Sequence, residues 1–237
     1  MRILLGSGGF RTPERIALLT ETMRKHFGSI RKLLFVPYAL KDLDHYVVSM
    51  IQRGIDAGYE LDSIHTHSDP VRAIWNAEGL FIGGGNTFRL LKTLYDLELL
   101  DVIRTKTKAG LPYLGISAGC NVSCPTIRTT NDMPIVEPPS LIALGLVPFQ
   151  VNPHYVHGAM AYQDSTGQYQ AHFGETRDDR LREFHEENTT PVIGLWEGGL
   201  LDCDGNHIKL IGTPARIFHR GQLTMDVKAG EELSSKL

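Results

Sequence analysis

The chain has 237 residues, of which 42% are apolar and 22% charged; that is one well-cored domain's worth of material and not the composition of a disordered chain. Its net charge is −3 with ten histidines counted as neutral, so no basic excess points to nucleic acid and no polybasic block to a membrane surface. The longest apolar runs, Leu33–Tyr38 and Leu141–Val147, fall far short of the roughly 20 residues of a membrane-spanning helix, and the apolar stretch after Met1 is too short for a signal peptide.

In chain order, Arg2–Gly6 reads as a short strand ending in glycines. Thr12 is an N-cap with Pro13 at the first helical position, and Ile16, Leu18, Leu19, Met23 and Phe27 give that helix an apolar face. Leu33–Tyr38 reads as a strand buried on both sides. A helix over Asp42–Ala57, stopped by Gly58, a strand over Leu61–His65, a helix over Pro70–Ala77 and a strand over Gly79–Ile82 follow. After Gly83-Gly84-Gly85 come two helices, from Asn86 to Asp96 and from Glu98 to Ala109, then a strand over Leu111–Gly115. The second half opens with a polar loop, Thr126–Asp132, and later carries a charged helix over Thr176–Glu187. Short strands over Pro191–Leu195, Leu200–Cys203, His207–Ile211, Ala215–Phe218 and Thr224–Val227 end it, with Asp204-Gly205-Asn206 as a hairpin turn. The alternating half implies an α/β fold: a three-layer, mostly parallel sheet with helices on both faces. The strand-rich tail implies a C-terminal hairpin extension at one edge. With no linker or repeat, residues 1–237 read as a single domain.

The chemistry concentrates at Gly115-Ile116-Ser117-Ala118-Gly119. A strand precedes this segment and a helix follows from Ala118, the setting in which a serine sits on a strained strand-to-helix turn with its hydroxyl exposed. The Ala118 amide then lies at a helix amino terminus, aimed at an oxyanion. Gly83–Thr87 also ends a strand and opens a helix. It lacks the lysine of a phosphate loop and the spacing of a dinucleotide fingerprint, so Gly84 and Gly85 read as a second source of oxyanion amides. Gly6-Ser7-Gly8-Gly9 likewise fails the dinucleotide pattern, because Arg11 stands at its last glycine position.

A serine nucleophile needs a base. His26 and His185 read as residues on charged helix faces, and His65, His67 and His207 lie near strand ends or turns. His154, in Asn152-Pro153-His154, falls in a loop at the end of the apolar stretch Leu144–Val151. His157 lies three residues on, but spacing supplies no third metal ligand. Two acids compete to orient the imidazole: Glu197, leaving a buried strand just before Gly198-Gly199, and Asp132, in the loop beyond the nucleophile helix. The three cysteines, Cys120, Cys124 and Cys203, are an odd, low number that suits buried free thiols in a reducing compartment.

Five blocks carry a family resemblance: IGGGNTF (82–88), LGISAGCNVSCPTIRTTNDMPIVE (114–137), VNPHY (151–155), GETRDDR (174–180) and VIGLWEG (192–198). They run in order through most of the chain and resemble peptidase E, the α-aspartyl dipeptidases. The resemblance implies a glutamine-amidotransferase-like fold with serine in the nucleophile position, no metal and no other cofactor. It implies cleavage of dipeptides with a free N-terminal aspartate by Ser117 and His154, with Glu197 favoured over Asp132 as the third member. Arg128 and Arg177 lie in the matched blocks as candidate partners of the aspartyl carboxylate, and Asn86 as a further amide. Two other readings stand beside it: a hydrolase of aspartate-rich polymers such as cyanophycin, and a non-catalytic binding domain of the same fold. A monomer and a homodimer both fit. The expected location is the cytoplasm, or the peroxisome if Ser235-Lys236-Leu237 is read in a eukaryote.

Overall fold

Apolar runs closed by glycine or proline become the strands of a central sheet, and the amphipathic stretches between them become its covering helices. A computed structural model describes residues 1–237. The first half comprises β1 (Arg2–Gly6), α1 (Pro13–Phe27), β2 (Lys32–Val36), α2 (Leu43–Gln52), β3 (Glu60–Ser63), α3 (Pro70–Asn76), β4 (Leu80–Ile82), α4 (Thr87–Asp96), α5 (Leu99–Lys108), β5 (Tyr113–Ile116) and α6 (Ala118–Ser123). The second half holds β6 (Gln150–Tyr155), the hairpin β7 (Ala161–Gln163) and β8 (Tyr169–Ala171), α7 (Arg177–Glu187), β9 (Val192–Trp196), β10 (Leu200–Asp204), β11 (His207–Ile211), β12 (Ala215–Phe218) and β13 (Met225–Val227).

The main sheet has the order β11-β10-β1-β5-β4-β2-β3, with β1, β5, β4, β2 and β3 mutually parallel. Alternate residues of each strand enter opposite layers. Leu4, Leu33, Phe35, Phe81 and Leu114 pack with Leu19, Met23 and Phe27 of α1 and with Tyr46 and Met50 of α2. Ile3, Leu5, Leu34, Val36, Leu80, Ile82 and Tyr113 meet α3, α4, α5 and α6 on the other face. This is the expected three-layer α/β architecture. Truncating a fully buried ring such as Phe35 would cost roughly 3–5 kcal/mol.

The strand-rich tail divides between two sheets. The hairpin β10–β11, turning at Gly205 with φ 59°, joins the main sheet antiparallel to β1. The others build a second sheet, β13-β12-β9-β6, in which β6 and β9 are parallel. The tail therefore extends the main sheet and also forms the platform beneath β6, because β9 and β10 diverge at Gly198-Gly199. The helix expected to reach Ala57 ends at Gln52; Gly54, Ala57 and Gly58 all take positive φ and carry the chain to β3 by turns. His26 and His185, expected on charged helix faces, are buried, each with an unpartnered Nε2. All three cysteines are free and buried. Leu237 packs against the main core, and the Lys236 carbonyl accepts a 2.8 Å hydrogen bond from His219, so the last three residues lie folded on the protein. No helix is long and apolar enough to cross a membrane.

Candidate active site

The loops after β1, β4 and β5 meet at the carboxyl edge of the sheet, where open α/β sheets place their ligands. Ser117 stands at the end of β5 with φ 55° and ψ −108°, a conformation an L residue adopts only under constraint. Its N–H is held by the Gly6 carbonyl at 2.9 Å, and its own carbonyl accepts from Asn121 N at 2.9 Å. Both flanking glycines are required by close approach. A Cβ on Gly115 would stand 2.3 Å from the Gly119 carbonyl oxygen, and one on Gly119 would stand 2.2 Å from that of Ile82. The pattern is thus a packing solution that brings α6 down onto β5 and β4 and leaves the serine hydroxyl outermost.

Ser117 Oγ lies 2.9 Å from His154 Nε2, and His154 Nδ1 lies 3.1 Å from Glu197 Oε1. An Nδ1–H donating to the carboxylate leaves Nε2 as acceptor for the serine hydroxyl, the tautomer a general base needs. The imidazole is 39% exposed and the Glu197 side chain 52%. Their ion pair is therefore screened by solvent, and its value lies in orientation. His154 was expected in a loop; it lies within β6, at a bulge between Pro153 and Tyr155, with φ 54°. The bulge turns the imidazole out of the strand's alternation and onto Ser117.

The loop Gly6-Ser7-Gly8-Gly9, excluded from nucleotide binding by its spacing, is the bed on which this constellation rests. The buried Ser7 hydroxyl accepts from His154 N at 2.8 Å and donates to the Leu195 carbonyl at 2.8 Å, so it clamps the bulge to β9. A Cβ on Gly8 would stand 2.4 Å from His154 Cε1, and one on Gly9 would stand 2.6 Å from Glu197 Oε2. Gly198 N donates to the Gly8 carbonyl at 2.7 Å. Arg15 Nη1 lies 3.7 Å from Glu197 Oε2 and donates to the Gly9 carbonyl at 3.1 Å, bracing the far side of the carboxylate. Sequence reasoning missed Ser7, Gly8, Gly9 and Arg15. The only signal was a glycine-rich loop after the first strand that suited no phosphate motif.

Asp132, the competing acid, is placed elsewhere. Its Oδ2 accepts from Thr87 N at 2.8 Å, Thr87 Oγ1 at 2.5 Å and Thr130 Oγ1 at 3.1 Å, so it ties the 126–132 loop to the first turn of α4. Glu197 is the carboxylate beside the imidazole. The same loop is pinned to β6 by Asn131 Nδ2 to the Pro153 carbonyl at 2.6 Å and by Asn152 Nδ2 to Asn131 Oδ1 at 2.7 Å. Asn86 is spent on structure: its Oδ1 caps α4 through Arg89 N at 3.0 Å, and its Nδ2 donates to the Met133 carbonyl at 2.9 Å. His157, the other half of the imagined metal pair, turns away to Arg216 Nη1 at 2.7 Å.

Gly84 abuts the nucleophile: a Cβ there would stand 3.0 Å from Ser117 Cβ. It follows Gly83, where a Cβ would stand 2.5 Å from the hydroxyl of Tyr46, a group whose ionisation burial pushes up to about 12. Gly85, with φ 133°, follows it, and Ala118 opens α6, where first-turn amides have no helical acceptor. A cavity of about 200 Å³ adjoins His154, lined by Val156, Met160, His172, Glu175, Arg177 and Arg180 among others. Arg180 pairs with Glu175 at 3.5 Å. Arg177 is half-buried, and burial, with Arg180 nearby, holds its guanidinium below its ordinary pKa, the mark of a cation lacking a counter-ion. Arg128 is exposed and does not line this cavity.

The model of peptidase family S51 matches residues 2–211. The chain is 46% identical over 207 residues to a peptidase E of Streptomyces coelicolor, covering 87% of this chain and 82% of that one. It is 47% identical over 211 residues to a peptidase E of Shewanella denitrificans, covering 87% and 86%. The crystal structure of a peptidase from an acI-B1 Actinobacterium superposes with a TM-score of 0.67 over 98% of this chain and 95% of that one; at 18% identity it supports the fold alone. Similarity of this depth over nearly the whole length shows the family: the chain is a serine hydrolase of peptidase family S51.

Proposed function

We propose that this enzyme hydrolyses dipeptides with an N-terminal aspartate through an acyl-enzyme on Ser117. The observation that carries the reading is the unbroken relay from Ser117 Oγ through His154 to Glu197, opening beside a small cavity that holds an unpaired arginine. His154 Nε2 takes the Ser117 proton as Oγ attacks the aspartyl carbonyl, and Glu197 steadies the imidazolium. The N–H groups of Gly84 or Gly85 and of Ala118 receive the oxyanion. His154 then returns the proton to the leaving amine, and a water activated by the same nitrogen hydrolyses the ester. Arg177 takes the side-chain carboxylate; its planar fork fits two oxygens, and the cavity's partial exclusion of water strengthens the contact.

A cavity of about 200 Å³ suits one short side chain and an ammonium group better than the open groove a polymer requires. The name peptidase E borne by the relatives points the same way. Buried free thiols suit a reducing compartment and support a cytoplasmic location. The test is hydrolysis of Asp-Leu beside Asn-Leu, Glu-Leu and longer aspartyl peptides. Ser117→Ala should lower kcat by about a thousandfold or more with the fold intact. Substantial remaining activity, or equal rates on Asp-Leu and a long aspartyl polymer, would refute the reading.

A further inference from the structure

The chain leaves the core at Tyr155 and returns to it at Asp178, and no residue between them is buried. The hairpin β7–β8 occupies this excursion, with Met160, Tyr169 and Phe173 largely exposed. The two residues that bound it are joined: the Tyr155 hydroxyl donates to Asp178 Oδ1. Asp178 Oδ2 accepts from Arg216 Nη1 at 2.8 Å, and Arg216 holds Asp226 through Nε at 2.6 Å and Nη2 at 2.7 Å. Only 9% of the Asp178 side chain and 11% of that of Arg216 are exposed. A buried pin thus unites β6, α7 and β12, and Arg216 extends it to β13 through the exposed Asp226.

The neighbours of the pin are the two groups that face the substrate cavity. His154 immediately precedes Tyr155 and Arg177 immediately precedes Asp178, and both line the same space. The first turn of α7 is internally closed by a capping box, Thr176 N to Asp179 Oδ2 at 2.9 Å and Asp179 N to Thr176 Oγ1 at 3.1 Å. A capping box shapes the turn without tying it to the core. Leu181 and His185 bury the later turns. In the first turn, Asp178 is the buried attachment, and the exposed excursion before it offers little packing.

We infer that Asp178, held by Tyr155 and Arg216, is the positioning residue that sets Arg177 against His154 and so determines discrimination in favour of a negatively charged acyl side chain. The inference rests on the reading of Arg177 as the carboxylate-binding cation. Without the Asp178 carboxylate, the later turns keep α7 docked while its first turn, carrying Arg177, loses its fixed distance from the base. Selectivity falls before folding does, because charge recognition depends on guanidinium placement to within a fraction of an ångström.

The experiment is a double-mutant cycle on Arg177→Met and Asp178→Asn. It reads the ratio of kcat/KM for Asp-Leu over its uncharged isostere Asn-Leu, with melting temperature and fluorophosphonate labelling of Ser117 as controls. Asp178→Asn should lower the ratio by about tenfold or more in the wild type and by less than about twofold in the Arg177→Met background, since coupled residues are not additive. Asp178→Asn keeping the wild-type ratio while Arg177→Met loses it would overturn the positioning role alone, as would equal losses in both backgrounds. A wild-type ratio in Arg177→Met would refute the reading of Arg177 and this inference with it. Arg216→Lys, which keeps the charge but loses the planar fork, carries the same test should Asp178→Asn fail to fold.

Discussion

Replacing Gly8 by alanine should disable the enzyme without any change to the residues that touch substrate. Gly8 has φ 127°, and the added methyl would stand 2.4 Å from His154 Cε1 and 3.0 Å from Nε2. Ordinary contact begins at 3.4 Å, so the ring or the loop must retreat by about 1 Å. The loop resists, because the Gly8 carbonyl is held by Gly198 N at 2.7 Å. The His154 backbone resists too, through Ser7 Oγ at 2.8 Å. The imidazole therefore tilts, and the 2.9 Å contact to Ser117 Oγ is lost. A misplacement of about 1 Å costs on the order of a hundredfold in rate, equivalent to about 2.7 kcal/mol of transition-state stabilisation. The backbone strain adds about 1–3 kcal/mol of destabilisation. Steady-state hydrolysis of Asp-Leu together with thermal unfolding separates the two effects. Gly28→Ala is the control: it has φ 70° and nothing within 4 Å of the added Cβ, so it should lower the melting temperature and leave kcat/KM unchanged. A folded Gly8→Ala enzyme with kcat/KM within about threefold of wild type would refute the argument that this loop fixes the imidazole.

The two acids should separate cleanly. Glu197→Gln should lower kcat on the order of a hundredfold or more by losing the tautomer and the charge behind His154, whereas Asp132→Asn should cost about 1 kcal/mol of stability as a weakened tie to α4; the reverse ranking in kcat would return the third position to Asp132. His26 is pushed down to about 4, first by burial and then by Arg2. As pH falls from 6.5 toward 4, the unfolded chain binds a proton there that the native state refuses, so up to about 3 kcal/mol of stability should be lost in that window. His26→Leu should flatten the denaturant-midpoint profile between those pH values, and an unchanged slope would show that His26 is not the group responsible. Burial pushes the Cys124 thiol up to about 12 and raises the Cys120 and Cys203 thiols as well. A thiol reagent at about pH 8 should label none of the three in the native enzyme and all three after unfolding.

The local grammar of this chain was readable without a fold. Thr12, Asp42, Asp69, Asn86 and Thr176 cap helices through side chains that reach only three residues along. The strand–serine–helix turn at Ser117 depends on small residues at fixed, short spacing. Glu197 was legible as a charge leaving a buried strand before two glycines, because the end of a strand has a direction that sequence records.

Other features could not be read, because their partners lie far along the chain. The positive φ of His154 arises from a register shift between β6 and β9, two strands some forty residues apart, and no residue type announces it. Strand-end placement favoured Glu197 but left Asp132 standing; Thr87, forty-five residues from Asp132, shows that carboxylate engaged elsewhere. Gly8 and Gly9 resemble a failed nucleotide loop until β6 and β9 lay an imidazole and a carboxylate against them. His26 and His185 read as part of charged helix faces because a helix's inward face is defined by what covers it. Sequence by itself determined most of the elements and the nucleophile turn, since those rest on contacts a few residues long, but it did not offer the hairpin β7–β8. The sequence put His154 and Glu197 forward; tertiary structure decided that they meet that turn, and what holds them there, since those contacts close loops of 37 to 147 residues.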